Sequence, residues 1–139
     1  MKASKILVAG LVGSILALTL GFLVYGLVLD SFFEENMGSA TGVMREEANF
    51  NWVAMIIGHL GIGFLYAIVF GGWTNIRTFA AGARAGATIG FLIGLANGMI
   101  SFGSTNIANL PATLVDIVVG TVLSAIVGGI VGALLGRGT

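Results

Sequence analysis

FAAGARAGATIGFLIGLANGMISF (residues 79–102) and LPATLVDIVVGTVLSAIVGGIVGALLG (residues 110–136) decide the fold. In the first, a glycine recurs at every fourth position: Gly82, Gly86, Gly90, Gly94 and Gly98. In the second the ladder is Gly120, Ser124, Gly128, Gly132 and Gly136, and Asp116 stands one step before it in the same register. Positions four apart lie on one helix face. In water, each of those interior glycines would weaken a helix by about 1 kcal/mol relative to alanine. In lipid the same spacing lets two backbones approach closely, which holds membrane helices together. The ladders therefore predict tight helix packing in a bilayer, and they single out the one acid that breaks the pattern.

The rest of the composition agrees. Charged residues are 9% and apolar residues 57% of the chain, against about 25% and 45–50% in soluble domains. Segments 6–29, 50–73, 79–102 and 110–136 each exceed the roughly 20 residues that span a bilayer. None alternates as a barrel strand would. The expectation is an all-α polytopic membrane protein: a four-helix bundle forming one domain over residues 1–139, with an acidic loop at 30–49. The apolar run after Lys5 is too long for a cleaved signal and reads as a retained helix. With no cysteine, disulfides, thiol catalysis and cysteine metal sites are excluded. A net charge of zero with no basic run gives no sign of nucleic-acid binding.

Charge placement orients the chain. Lys2, Lys5, Arg77, Arg84 and Arg137 are five of its six basic residues and fall on one side of a four-span topology. The positive-inside rule makes that side cytoplasmic, with both termini inside. The other side carries Asp30, Glu34, Glu35, Glu46 and Glu47, with Arg45 its only base. The short turns at 74–78 and 103–109 predict that the second, third and fourth helices pack in sequence. Asn109 is placed to cap the last of them, with Pro111 in its first turn. If the two ladders pair within the chain, Gly98 is expected level with Gly120, Gly82 with Gly136, and Gly90 near Gly128. The rival arrangement sets a ladder against an identical subunit.

Four polar residues lie at similar depth on the acidic side, one per helix: Tyr25, His59, Asn97 and Asp116. They form a candidate cluster. Asp116 lies on the order of 10 Å inside its helix end and His59 roughly 15 Å, at 1.5 Å per residue. An intramembrane acid commonly faces the bundle or a wet cavity and handles protons or cations; its bland alternative is a hydrogen-bonded structural acid. Asn97 and His59 are the first expected partners of Asp116, and Tyr25 the next. A lone histidine is a proton carrier, a metal or haem ligand, or a buried polar contact; with one His and no Cys, no metal site and no cofactor is expected. Arg84 snorkels towards the headgroups and sets topology, with lipid phosphate as the functional alternative. The acids of the long loop lack calcium-loop spacing.

Two stretches resemble the small bacterial four-helix membrane proteins grouped as domain of unknown function 1761. These are Leu20-Gly21-Phe22-Leu23-Val24-Tyr25-Gly26-Leu27 and Leu114-Val115-Asp116-Ile117 with Gly128 and Gly132 beyond. Val24 departs from the family's usual tryptophan. The resemblance implies a bacterial inner-membrane protein and draws attention to Tyr25 and Asp116. It transfers no catalytic residue. The chain has no recognisable nucleophile–base pair, so the expected function is non-enzymatic. It binds a partner protein, a lipid or a small apolar ligand, with the bilayer and a homo-oligomer or larger membrane complex as its surroundings. The alternative is a small oligomeric channel or transporter that uses the cluster around Asp116 and His59.

Overall fold

The computed structural model describes residues 2–137. Helix α1 (Ala3–Leu23) runs on through a π-helical turn at Val24–Val28, and a short helix α2 (Asp30–Glu35) follows. Helix α3 (Trp52–Ile68) likewise ends in a π-helical turn at Val69–Trp73. Helices α4 (Phe79–Ser104) and α5 (Leu110–Gly136) complete the chain. The four long helices are each apolar and long enough to cross a membrane, which makes this an all-α, multi-pass membrane protein.

Three of the starts are capped. The side chains of Asn51, Thr78 and Asn109 accept hydrogen bonds from the amides of Ala54 (3.0 Å), Ala81 (3.2 Å) and Ala112 (3.0 Å). Each cap satisfies an amide that would otherwise be orphaned near the membrane surface. The expected boundaries shift by a few residues: 6–29 becomes Ala3–Val28, 50–73 becomes Trp52–Trp73, and 79–102 extends to Ser104. Inside the expected loop 30–49, the structure adds α2 and a 3₁₀ turn at Glu47–Asn49. Helix α2 forms because Phe32 and Phe33 are apolar residues in a polar stretch and pack back on the bundle, with the Phe33 ring 5.5 Å from that of Tyr25.

The helices pair as α1 with α3 and α4 with α5, and α5 joins the two pairs by packing on both α1 and α3. Helices α3 and α4 share no comparable interface, so the expectation that the last three helices pack in sequence is corrected. The physical reason lies in the small residues. A Cβ added at Gly63 of α3 would strike Ser14 Oγ and the backbone of Gly10 and Ser14, so α3 is committed to α1. One added at Gly82 or Gly86 of α4 would strike the carbonyls of Gly128 or Ser124, so α4 is committed to α5.

The α4–α5 register also differs from the expected one. Gly82 meets Gly128 and Gly132, Gly86 meets Ser124 and Gly128, and Gly90 meets Ser124 and Gly120. Gly136 abuts the backbone of Arg77, outside α4. The connection of residues 105–109 sets this alignment, because residues equally distant from a tight turn lie level. Towards that turn the ladder loosens. A Cβ on Gly94 would come only within 3.6 Å of Ile117, and one on Gly120 would meet nothing within 4 Å.

The core sits in the half of the bundle that carries both chain ends. Ala9, Tyr66, Ala67, Phe70, Val127, Val131 and Leu135 form it, and Phe70, Val131 and Leu135 are fully buried. The Lys5 ammonium donates to the Arg137 carbonyl at 2.7 Å, which ties the two ends together. Both halves present apolar surface outwards: Leu7, Val8, Trp73 and Phe79 are exposed in one, and Leu27, Val28, Val53 and Ile57 in the other. There the two loops close the end of the bundle. Gly38 and Ala40 donate to the carbonyls of Ile107 and Asn106, each at 2.9 Å. The Asn109 amide and side chain bond the Asn36 carbonyl (3.1 Å) and side chain (3.0 Å).

Candidate functional site

Tyr25 and Asp116 meet on the loop side. Tyr25 is in the π-helical turn that ends the first span, where the helix is locally widened. Its hydroxyl donates to Asp116 Oδ1 at 2.7 Å, across α1 and α5. A hydrogen bond to a carboxylate is among the stronger kinds, and here it links helices from the two packed pairs. Phe33 of α2 lies on Tyr25, and Phe32 lies 5.4 Å from Phe33, edge to face. Because Asn36, just after α2, is bound to Asn109, just before α5, α2 is held as a roof between the outer ends of α1 and α5.

Asp116 is exposed, not enclosed by the bundle. Its neighbours on α5 explain this. Thr113 and Ile117 are buried against α4 beside Gly98, while Val127, Val131 and Leu135 face the core further along. One turn on from Asp116, Gly120 has open space over its α-carbon. The carboxylate thus lies on the outer surface of the bundle, joined to Tyr25, with an outward-facing glycine one turn on.

Of the four expected cluster residues, the structure joins Tyr25 and Asp116 only. The half-buried His59 donates from Nδ1 to the Met55 carbonyl of its own helix at 2.7 Å. Its Nε2 faces Gly21, 3.6 Å from where a Cβ would stand. Asn97 is exposed on α4, and no hydrogen bond of its side chain occurs among the described residues. The Arg84 side chain is also exposed, while its carbonyl accepts from Thr88 at 3.0 Å. No group of three His, Asp or Glu side chains able to hold a metal occurs among the described residues.

Two features escaped the sequence reading. Tyr66, almost fully buried, stands beside Ser124 where α3, α4 and α5 converge. The α1–α3 seam was the other. Its signal was present as Ala9, Gly13, Ala17 and Gly21 on α1 and Gly63 and Ala67 on α3 with Gly71 in the π-helical turn beyond, each set at four-residue spacing. Shallow apolar grooves flank both seams: one of about 300 Å³ beside Phe22 and Trp52, another of about 360 Å³ beside Ala83 and Ala125. In comparisons with known proteins, no family model, curated protein or solved structure matches this chain.

Proposed function

We propose that this is a non-enzymatic protein of the bacterial inner membrane, with both termini cytoplasmic, of the small four-helix kind that it resembles. It binds a lipid or small apolar ligand at the surface around Tyr25, Asp116 and Gly120. One observation carries the reading: a polar pair, Tyr25 and Asp116, bridges α1 and α5 at 2.7 Å while Asp116 stays exposed at the bundle surface and Gly120, one turn on, has nothing within 4 Å of its absent Cβ. Five basic residues on the side of the termini support the orientation.

The second reading is an oligomeric channel or transporter. The exposed Asp116 carboxyl group favours it, because intramembrane acids commonly mark ion and proton pathways. Native mass spectrometry of the purified protein, with flux measured in proteoliposomes, separates the two. A binder should retain a small molecule or lipid through detergent exchange, and Gly120→Phe, which covers the surface beside Asp116, should release it. A proton or cation flux that Asp116→Asn abolishes would decide for the transporter instead.

A further inference from the structure

We propose that the groove beside the α4–α5 seam seats one anionic phospholipid from the leaflet on the side of the chain ends, with an acyl chain in the groove and the headgroup phosphate on Arg84. This seat lies towards the opposite end of the bundle from Tyr25 and Asp116, and it does not rest on the reading of that surface.

The groove, of about 360 Å³, runs between Phe79, Ala83 and Ala87 of α4 and Thr121, Val122 and Ala125 of α5. The sequence creates it. The ladder residues bring the two backbones together, and the alanines beside them are too small to fill the valley that remains. Its lining is apolar, because the Thr121 hydroxyl already donates to the Ile117 carbonyl at 2.7 Å. Near the membrane surface the Phe79 ring lies against Gly129 of α5. From Phe79 to Ala87 the groove descends ~12 Å at 1.5 Å per residue. That is most of one leaflet, roughly 15 Å of a hydrocarbon core about 30 Å thick. A groove that opens at headgroup level and runs to that depth fits an acyl chain.

Arg84 gives the seat its sign. It stands three residues before Ala87, so the two are neighbours on the surface of α4, and it is exposed. Side chains on a helix lean towards its N-terminus. Helix α4 begins on the side of the chain ends, so that lean carries the guanidinium back towards the headgroups at the mouth of the groove. No hydrogen bond or ion pair of the Arg84 side chain occurs among the described residues. Two other cations on this side are already engaged: Lys5 donates to the Arg137 carbonyl, and Arg77 to the carbonyls of Phe70 and Ile76. All six acidic side chains belong to the opposite half of the bundle. A counter-charge for Arg84 therefore comes from outside the chain, and in a bilayer the anion at that level is a lipid phosphate. A guanidinium receives it with two parallel N–H donors. A zwitterionic headgroup brings its own cation to the same place and compensates Arg84 less.

The test is native mass spectrometry of the full chain in mild detergent, titrated with phosphatidylglycerol or with phosphatidylcholine of the same acyl chains. The wild type should hold one phosphatidylglycerol about tenfold more tightly than phosphatidylcholine, as one charge-assisted contact provides. Arg84→Gln should remove that preference. Lys2→Gln, which takes an equal charge from the same side, should leave it standing. Ala87→Leu, which fills the groove with Arg84 intact, should weaken both lipids. Inorganic phosphate should not displace the lipid, because it has no chain for the groove. Arg84→Gln and Ala87→Leu should melt near the wild type, since neither position is buried. Equal retention of the two lipids by the wild type, or an undiminished preference in Arg84→Gln, overturns the proposal. So does lipid binding that Ala87→Leu leaves unchanged or that inorganic phosphate displaces.

Discussion

Gly82→Leu is expected to destabilise the bundle by at least ~2–3 kcal/mol and to free α4 from α5, because overpacking costs about 1–3 kcal/mol even where side chains can yield. Here they cannot. The added Cβ would strike the Gly128 carbonyl oxygen, and the carbonyl carbon stands at 3.0 Å with Gly132 Cα at 3.2 Å. All of these are backbone atoms of α5, so the helices themselves must separate. Gly128→Leu should act alike, with Gly86 Cα 2.9 Å from its Cβ. Two controls on the same ladders isolate the cause. Gly94→Ala meets only an ordinary contact at 3.6 Å, and Gly120→Ala meets nothing within 4 Å. Both should be neutral or slightly stabilising, since alanine is the better helix former by about 1 kcal/mol. Thermal unfolding in mild detergent checks the series. Equal losses at all four positions would show that glycine spacing, and not close approach, is what matters.

Gly63→Leu should be at least as damaging. Its Cβ would fall on Ser14 Oγ, the Gly10 carbonyl and the Ser14 amide, so it attacks the seam between α1 and α3. It would also displace the Ser14 hydroxyl from the Gly10 carbonyl, which it bonds at 2.7 Å. In a membrane, a displaced polar group finds no water to replace its partner. The expected result is loss of the folded monomer in detergent, or a fall in stability of a few kcal/mol. A Gly63→Leu variant that melts with the wild type would mean that α1 and α3 are not in backbone contact.

Much of the architecture was legible because membrane helices obey one constraint: apolar length. The spans, the Asn109 cap and the faces of Gly82, Gly86 and Gly128 followed from length and spacing. The α4–α5 register was misjudged. Level positions in a hairpin depend on the turn between them, and the ladder alone does not say where that turn closes. Gly94 and Gly120 looked like close-approach points, but Ile117 holds the helices apart towards the turn. The α1–α3 seam was hidden because alanine, serine and glycine share it, whereas glycine dominates the other. Depth placed Tyr25, His59, Asn97 and Asp116 at one level. Which of them meet depends on rotation about each helix, and His59 and Asn97 turned elsewhere. Tyr25 reached Asp116 through a π-helical turn, a local rewinding that no spacing rule anticipates.

The central claim is that α5 is buried along its second half, at Val127 and Val131, and faces outwards at Asp116 and Gly120. The absence of cysteine makes it directly measurable with single cysteines on α5 and a water-soluble maleimide, in lipid nanodiscs that expose both faces. Gly120→Cys should react readily, because its side chain enters open space. Val127→Cys and Val131→Cys should stay unreacted in the folded protein and react only after denaturation, because those positions are 2% and 0% exposed. Protection at residue 120, or labelling at residue 131 as fast as at residue 120, would contradict the account.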